Sequence, residues 1–498
     1  MQLSADYDIA IVGSGFAGSL LAMIARRLGK SVILLERGKH PRFAIGESTT
    51  PLSNLLLEEL ATRYELPNLL PLCKWGPWQK TYPDIACGLK RGFTFYHHEA
   101  GRHAQRDDQL LVAASPHDAI ADTHWYRAEV DAFFVKEAQK AGVEYLDEVR
   151  LRSAREEDDS VRLDGDGLTV KARFVVDATG PRGFLHRAFG LPELPLPDSP
   201  PTQALYTHFT GVRRLDELAP PSELPPYPVD DAAVHHVFDG GWIWVLRFAN
   251  GITSAGVAGS FDLSEGEPAW RRILDRFPTV GAQFASAKPT MPFVHAPRLA
   301  FRSGAIAGPR WALLPSAAGF VDPLLSTGFP LTLLGVYRLA EIFERDSTSL
   351  DTYARQTEGE LLATARLIGA LYATMGNFPV FVSLTMLYFA AASFSETARR
   401  LGRPHLAASF LLHDNPRFQM RELLERARTV RTEAESQALS EDIRRFIEPF
   451  NVAGLADPRR LNWYPADAGD MLRGAAKLGA EQDEVARVLD RCGFHAAR

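Results

Sequence analysis

The chain has 498 residues, of which 46% are hydrophobic and 23% charged. This is the composition of an ordinary globular protein, and it excludes a disordered or fibrous one. The length allows two or three domains, or one large two-lobed enzyme with a substantial core. The formal net charge of −6 gives no electrostatic reason to expect nucleic acid as the main partner.

The cysteine content and the N-terminus indicate where the protein works. Three scattered cysteines are too few for a disulfide framework or a zinc site, so we expect no metal and a cytoplasmic location. The first residues, MQLSADYD, lack the pattern of an export signal. The uncharged segment 378–394 falls short of the roughly 20 residues that a membrane span needs, so we predict a buried helix and no membrane span.

The stretch 8-DIAIVGSGFAGSLLAMIARRLGKSVILLERG-38 predicts a strand, a tight turn, a helix and a second, parallel strand. Gly13, Gly15 and Gly18 form the pattern GxGxxG at the start of this helix. The three glycines allow a tight turn, close approach of the backbone to a pyrophosphate, and close helix–strand packing. We therefore predict a dinucleotide site.

The residues around this fingerprint complete the predicted site. Phe16 and Ala17 open the helix, whose N-terminus presents unpaired N–H groups to phosphates. Glu36 ends the second strand, where a carboxylate accepts hydrogen bonds from ribose hydroxyls, and Arg37 follows it.

Two later segments favour FAD over a nicotinamide dinucleotide. The chain contains one GxGxxG fingerprint, so no second dinucleotide domain is expected. The strand 174-FVVDATG-180 places Asp177 and Gly180 in a turn that often accompanies FAD. The segment 311–329 predicts a strand, a small-residue turn and a helix whose positive end can face the flavin or an anion.

The remaining patterns complete the predicted fold. We predict an α/β protein with a Rossmann-like FAD-binding domain, an antiparallel-sheet substrate region and a helical C-terminal region. Residues 122–142 show helical spacing, and alternating patterns predict antiparallel strands at 232–238, 242–248 and 252–259. The expected boundaries are 1–80, 120–190 and 296–345 for the FAD-binding domain, 81–119 and 191–295 for the substrate-side sheet, and 346–498 for the helical region.

Five stretches together resemble the flavin-dependent halogenases, within the wider FAD-dependent monooxygenase superfamily. They are GSGFAG, 41-PRFAIGESTTP-51, 86-ACGLKRGFTF-95, 242-WIWVLRF-248 and 319-GFVDPLLSTG-328. The resemblance is strongest to the halogenases that act on phenols, and it extends to about residue 340.

The resemblance implies an enzyme of secondary metabolism that uses reduced FAD from a separate flavin reductase, O2, and chloride or bromide. Hypohalous acid then crosses a tunnel to a lysine, which halogenates an electron-rich, phenol- or pyrrole-like ring. The small aromatic substrate is either free or tethered to a carrier protein. The alternative on the same scaffold is an FAD-dependent aromatic monooxygenase.

The resemblance also implies roles for individual residues. Lys90 is the catalytic lysine, acting either as an ammonium that polarises hypohalous acid or as an amine that forms a haloamine. Gly46, Glu47 and Ser48 form a strap that links the flavin and substrate regions. Arg127 contacts the cofactor, although a surface arginine paired with Asp131 is the competing interpretation.

The loop before the helix that begins near residue 328 carries the other implied sites. Thr327 and Gly328 match the halide site, where backbone N–H groups at a helix N-terminus bind an anion. Gly328 and Asp322 are also expected to contact the cofactor. Trp242 and Trp244 are expected to wall the tunnel.

The sequence departs from the family pattern in three places. Leu246 and Arg247 replace isoleucine and proline in the motif WxWxIP, so an arginine either brings charge to the tunnel or points to solvent. Leu325 stands where tryptophan-type halogenases carry a glutamate. Pro315-Ser316 replaces the Gly-Asp pair of the superfamily.

Two pairs of adjacent histidines do not predict a metal site. Adjacent residues on a strand point to opposite faces, so neither His97 with His98 nor His235 with His236 can chelate jointly. For the first pair the alternative is that one ring faces the substrate cavity and deprotonates a phenol. We expect a structural role for the second pair.

Overall fold

The computed structural model describes residues 3–218, 223–345 and 349–494. In chain order the strands are β1 (Leu3–Val12), β2 (Val32–Leu35), β3 (Cys87–Lys90), β4 (Gly92–His97), β5 (Gln109–Ala113), β6 (Asp122–Trp125), β7 (Glu144–Leu146), β8 (Leu151–Glu156), β9 (Val161–Gly165), β10 (Leu168–Asp177), β11 (Glu193–Leu194), β12 (Gln203–Thr210), β13 (Ala233–Phe238), β14 (Gly241–Arg247), β15 (Thr253–Gly259), β16 (Lys288–Pro289), β17 (Val294–Ala296), β18 (Phe301–Ser303), β19 (Ala307–Gly308), β20 (Trp311–Leu313), β21 (Gly319–Phe320) and β22 (Trp463–Tyr464).

The helices alternate with these strands in the first half of the chain and dominate the second half. They are α1 (Phe16–Arg27), α2 (Pro51–Arg63), α3 (Trp75–Thr81), α4 (Arg127–Lys140), α5 (Phe184–Ala188), α6 (Leu215–Leu218), α7 (Glu267–Arg276), α8 (Pro278–Phe284), α9 (Pro315–Ala318), α10 (Gly328–Glu344), α11 (Leu350–Ala373), α12 (Phe378–Arg400), α13 (Arg421–Ala427), α14 (Glu433–Ile447), α15 (Ala468–Arg473) and α16 (Gln482–Arg491).

The first large sheet is a parallel, Rossmann-like sheet. Its main path is β19-β20-β10-β1-β2-β7, with β9 and β8 attached to β10. The pairs of β1 with β2 and with β10 are parallel, as the sequence predicts. α1 packs against β1 and against α10, and the apolar run of β1 is buried. The predicted α/β class is confirmed.

The second large sheet is mainly antiparallel and forms the other half of the molecule. Its order is β16-β12-β15-β14-β13-β4-β5-β22, with β17 paired to β12. Two pairs, β13 with β4 and β5 with β22, are parallel. The three strands predicted between 232 and 259 are its centre, as β13, β14 and β15.

A two-stranded ribbon of β3 and β6 corrects one prediction. A helix is predicted from the spacing over residues 122–142, but the helix begins only at Arg127. Residues Asp122–Trp125 form β6 instead. A four-residue strand is too short for its alternation to be distinguished from a helical pattern. The correction matters because it places Arg127 at the very start of α4.

One helix, α12, is long and apolar enough to cross a membrane by length and composition. In the structure 78% of its most apolar window is buried. This is the burial of a core helix, as predicted for residues 378–394. The cytoplasmic location and the domain boundaries stay predictions.

Candidate active site

One cavity of about 1270 Å³ is lined by residues of both large sheets. Ordinary ligand pockets measure roughly 300–1,000 Å³, so this cavity holds more than a small substrate. All predicted tunnel and halide residues line it, and so do all predicted cofactor residues except Asp177. They are Gly13, Gly15, Phe16, Ala17, Gly18, Glu36, Arg37, Gly46, Glu47, Ser48, Arg127, Gly180, Trp242, Trp244, Asp322, Thr327 and Gly328.

The glycine turn at one end of the cavity leaves no room for side chains. Gly13 has a φ of +103°, and a Cβ added there would lie 2.6 Å from the carbonyl oxygen of Ala178. A Cβ on Gly18 would lie 2.0 Å from the carbonyl oxygen of Gly13. Gly15 precedes α1 and has no side chain to cap the helix. Asp131 accepts the N–H of Phe16 at 3.2 Å, and the N–H groups of Ala17 and Gly18, two residues that line the cavity, remain for a bound anion.

Glu36 lies at the end of β2 and is held by hydrogen bonds. Its carboxylate accepts from the backbone N–H and hydroxyl of Ser14, at 3.1 and 3.0 Å, and from the N–H of Gly38, at 2.8 Å. Arg42 forms an ion pair with it at 3.0 Å. Burial acts to raise the pKa of Glu36, but these donors outweigh it and lower the pKa to about 2.

We expect the stability that Glu36 contributes to depend on pH. Because its pKa lies below the ordinary 4.5, this contribution is complete above pH 4.5 and is lost as the pH falls toward about 2. The Glu36→Gln variant removes the charge, so the difference in Tm from the wild type should shrink steadily over that range. Thermal unfolding of both proteins in a pH series measures it, and a constant difference contradicts the prediction.

Arg127 joins the strap to the dinucleotide turn. Its Nε and one terminal nitrogen each donate to the carboxylate of Asp131 at 2.9 Å. The other terminal nitrogen donates to the carbonyl oxygens of Ile45 and Gly46, both at 2.9 Å. Asp131 also accepts the N–H of Phe16 at 3.2 Å. The pair with Asp131 is thus present, but Arg127 is a buried residue of the cavity wall and not a surface one.

Glu47 fixes the strap to the second sheet. One carboxylate oxygen lies 2.8 Å from Nε2 of His208, a residue of β12. Within the described part of the chain the other oxygen, Oε2, has no hydrogen-bond partner although it is buried. Glu47 itself lines the cavity, so its carboxylate belongs to the wall.

Asp177 has a different place from the one predicted. Its carboxylate accepts from the N–H and hydroxyl of Thr179, at 2.9 and 2.6 Å, and from the N–H of Leu185, at 2.6 Å. The residue lies behind the cavity wall, whereas Thr179 and Gly180 line it. Asp177 therefore shapes the loop that lines the cavity.

The N-terminus of α10 opens onto the cavity, as the halide prediction requires. Leu325 and Ser326 adopt left-handed backbone conformations, with φ of 65° and 54°. This turn brings Thr327 and Gly328 to the cavity wall, and no side chain caps the helix. Backbone N–H groups in that position attract an anion without a charged side chain.

Asp322 is the centre of a buried hydrogen-bond network. It accepts from the hydroxyl of Tyr372 at 2.8 Å, the N–H of Leu324 at 3.0 Å, the indole of Trp242 at 3.2 Å and the hydroxyl of Thr202 at 3.3 Å. Burial nevertheless raises its pKa to about 6. The network fixes the ring of Trp242 against the loop that leads to α10.

A row of aromatic rings runs along the second sheet. The ring centroids of Tyr206 and Trp244 are 6.0 Å apart, those of Trp244 and Trp242 5.7 Å, and those of Trp242 and His235 5.0 Å. These four residues line the cavity. Phe93 continues the row at 5.7 Å from His235. Both tryptophans are thus part of a continuous wall, as the tunnel prediction requires.

Arg247, which replaces the proline of the motif WxWxIP, does not line the cavity. Along β14 the side chains alternate, so Trp242, Trp244 and Leu246 line the cavity, whereas Arg247 faces the other side of the sheet. Its Nε donates to the carboxylate of Asp230 at 3.1 Å, and the two side chains form an ion pair. Arg247 therefore brings no charge to the passage.

We expect Arg247→Ala to lower stability and to leave activity unchanged. The substitution leaves the buried carboxylate of Asp230 without its ion-pair partner, which costs about 1–3 kcal/mol. Arg271→Ala, which breaks an exposed pair with Glu267, is the control and should change the Tm very little. A loss of halogenation in a folded Arg247→Ala variant contradicts this prediction.

Lys90 is fully buried at the end of the aromatic row. Its Nζ donates to Oγ of Ser48 at 2.9 Å and to the carbonyl oxygen of Thr49 at 2.5 Å, and it lies 3.9 Å from the ring centroid of Phe93. Burial lowers the pKa of Lys90 toward neutral pH, and the nearby carboxylate of Asp122 opposes this shift. Lys90 does not line the cavity, but Ser48 does, so one hydroxyl group separates the amine from it.

The histidine pairs have the structural roles that their spacing suggests. Nε2 of His98 lies 2.8 Å from Nδ1 of His236, and the ring of His97 stacks on Phe378 at 5.2 Å. Neither His97 nor His98 lines the cavity, whereas His235 does. No group of three metal-binding side chains occurs among the described residues.

Three residues of the site carry no signal in the sequence that identifies them. Arg42 lies within the quoted motif 41–51, but an arginine in a loop does not reveal that it pairs with Glu36. Asp122 lies opposite Lys90 only because β3 and β6 pair. Tyr372 reaches Asp322 from α11, some 50 residues later in the chain.

These features define a flavoprotein that binds FAD and carries out oxidation chemistry. The glycine turn, the N-terminus of α1 and the carboxylate of Glu36 fit a dinucleotide, and the cavity extends beyond them to the aromatic row. The model of the family described as "FAD dependent oxidoreductase" matches residues 8–291, more than half of the chain.

Named relatives narrow this class. The tetracycline 7-halogenase of Kitasatospora aureofaciens is 30% identical over 413 residues, which cover 78% of this chain and 73% of the relative. The monodechloroaminopyrrolnitrin halogenase PrnC of Pseudomonas fluorescens is 31% identical over 352 residues, covering 68% and 61%. A crystal structure of the halogenase PltM, 26% identical, superposes with a TM-score of 0.83 over 91% of this chain and 99% of PltM.

The chain belongs to the flavin-dependent halogenases within the FAD-dependent oxidoreductase family. The predicted family, the enzyme class and the FAD cofactor are thereby confirmed. Membership favours halogenation over the monooxygenase alternative.

Proposed function

We propose that this enzyme uses reduced FAD, O2 and chloride or bromide to halogenate a small, electron-rich aromatic ring. The observation that carries the proposal is the single cavity from the glycine turn to Ser48, whose hydroxyl group accepts a hydrogen bond from the buried amine of Lys90. Such a passage keeps the oxidising chemistry apart from the amine that uses its product.

The cofactor contacts come from the cavity wall. Gly13 to Gly18 and the start of α1 would hold the pyrophosphate, and Glu36 with Arg37 would hold the ribose. The strap, Arg127, Gly180, Asp322 and Gly328 form the rest of the wall that would hold the flavin. When bound, reduced FAD and O2 supply the oxidising equivalent that converts halide into hypohalous acid.

The halide and the passage have separate sites. The N–H groups of Thr327 and Gly328 bind chloride or bromide at the start of α10. Trp242 and Trp244 wall the route to Lys90 and exclude bulk water, which protects a reactive oxidant from side reactions.

Lys90 performs the final proton transfers. As an ammonium it donates a proton to the oxygen of hypohalous acid, the electron pair of the ring takes the halogen, and the oxygen leaves as water. The amine then accepts the proton that the ring carbon loses. Burial, which lowers the pKa of Lys90, makes both forms accessible near neutral pH.

The ring must be activated by its own substituents. Leu325 is buried in the hydrophobic core, so that position supplies no carboxylate to stabilise charge on the ring. A phenol- or pyrrole-like ring needs less such help. Relatives include the chlorinase of a pyrrole-2-carbonyl group carried by a peptidyl carrier protein, from Pseudomonas fluorescens, so a carrier-tethered substrate belongs among those to be tested. A separate flavin reductase supplies the reduced FAD.

Product mass tests the proposal. The purified protein is incubated with FAD, a flavin reductase, NADH, bromide and a set of phenols and pyrroles. We expect products heavier by one bromine minus one hydrogen. A product that gains one oxygen, in the same yield without bromide, identifies a hydroxylase and overturns the proposal. Flavin reoxidation with no product from any ring also counts against it.

A further inference from the structure

The catalytic lysine has a carboxylate directly across the β3–β6 ribbon. Lys90 and Asp122 are partners in the register of this antiparallel pair, with Lys90 0% and Asp122 6% exposed. Side chains directly opposite each other in a sheet interact, and opposite charges there are favourable. Asp122 thus lies on the same face of the ribbon as the lysine, whereas the loop before α10 offers only Leu325.

Hydrogen bonds hold this carboxylate in a network that also contains the lysine. The amide nitrogen of Asn54 donates to Oδ1 of Asp122 at 2.7 Å and to Oγ1 of Thr49 at 3.2 Å. The carbonyl oxygen of Thr49 in turn accepts from Nζ of Lys90 at 2.5 Å. The second oxygen of Asp122, Oδ2, is buried and has no hydrogen-bond partner in the part of the chain that the structure describes.

Burial acts most strongly on the charge of the lysine, and the carboxylate of Asp122 is the group that opposes it. An isolated ammonium in a buried site is costly, and a nearby carboxylate offsets that cost. Burial lowers the pKa of Lys90 and raises that of Asp122, and each group opposes the shift of the other. The other titratable groups around the pair are His124, His235, Tyr388, Glu396 and Arg400.

These other groups contribute little net charge, so Asp122 is the charged neighbour that acts on Lys90. Burial lowers the pKa of both His124 and His235 to about 3, so both rings are neutral in the working range. Burial raises the pKa of Tyr388, so it is also neutral there. Glu396 and Arg400 form an ion pair with each other, with Nε and Oε1 2.8 Å apart, so their charges largely cancel.

We propose that Asp122 is a positioning residue whose charge, on the same face of the ribbon as Lys90, sets the fraction of the lysine that is charged. Asn54 holds the carboxylate in place for this. The inference rests on the proposed function, because it assigns the charge state of the amine that meets hypohalous acid.

The pH profile of halogenation tests the proposal. Asp122→Asn keeps the shape and removes the charge, so the limb of the profile that belongs to Lys90 should move to lower pH by one unit or more. This direction holds whether the limb reports loss of the ammonium or gain of the amine. Asp122→Glu should restore most of the shift. A profile that coincides with the wild type overturns the proposal.

A second variant covers the case in which Asp122→Asn does not fold. Asn54→Ala removes the hydrogen bond to Oδ1, which weakens the charged form of the carboxylate. We expect a smaller shift of the same limb in the same direction. An unchanged or opposite shift in this variant counts against the proposal.

A stability cycle tests the pairing without any activity. The Tm is measured for the wild type, Lys90→Met, Asp122→Asn and the double variant. Each single change leaves one buried group uncompensated, so the double variant should lose less than the sum of the two losses. Additive losses overturn the pairing. If the wild type halogenates no substrate, the proposed function fails while this cycle still decides the pairing.

Discussion

Lys90→Met should reduce halogenation by at least about a hundredfold while FAD binding is unchanged. Proton donation and acceptance by a placed side chain contributes roughly 10²–10⁴-fold to a rate, and no methionine atom can replace the amine. Lys90 contacts the strap at Ser48, but the glycine turn and Glu36 lie on other elements, so FAD binding should survive. Product yield by mass spectrometry and flavin titration by fluorescence measure the two effects.

The control for this variant is Lys80→Met, since Lys80 is an exposed lysine of α3. It removes the same charge without touching the aromatic row, so its product yield should match that of the wild type. Undiminished bromination by a folded Lys90→Met protein would remove Lys90 from its proposed role. A protein that loses both product and FAD would instead indicate a collapsed site.

Gly18→Ala should abolish tight FAD binding. The added methyl group would lie 2.0 Å from the carbonyl oxygen of Gly13 and 3.0 Å from Cβ of Ala178. The carbonyl belongs to the backbone and cannot rotate away, so α1 must separate from the glycine turn. We expect the affinity for FAD to fall by at least about a hundredfold, since an atom displaced by one ångström disturbs every contact of the pyrophosphate.

Gly29→Ala is the matched control for this change. Gly29 follows α1 with a φ of +78°, and its added Cβ meets no atom within 4 Å. It therefore adds a methyl group and some backbone strain, of about 1 kcal/mol, but no collision. Its FAD affinity should equal that of the wild type. Equal affinity for FAD in the Gly18→Ala protein would show that the turn does not receive the pyrophosphate.

The sequence predicts those parts of the site that are local. Gly13, Gly15 and Gly18 are constrained by one turn and the helix that follows it, so their spacing alone defines their geometry. Thr327 and Gly328 are likewise placed by a short loop and a helix start. Glu36 follows from the rule that the second strand of such a unit ends beside the first helix.

Pairing between distant segments accounts for what the sequence does not predict. Asp122 meets Lys90 because two short strands pair, and four residues carry too little periodicity to show that a strand exists. Arg247 has its partner on the segment before β13, 17 residues away. Asp177 lies at the predicted place in the chain, but the direction of its carboxylate depends on Leu185 in the next helix.

The alternation of side chains along β14 has a consequence for how such chains are recognised. A search for the motif WxWxIP that gives every position equal weight penalises this chain for Arg247. The penalty is as large as the one for losing a tryptophan. The cavity constrains only positions 242, 244 and 246. Position 247 therefore escapes the constraint of the cavity, and searches that give the cavity-facing letters the greatest weight should recover members that the full pattern discards.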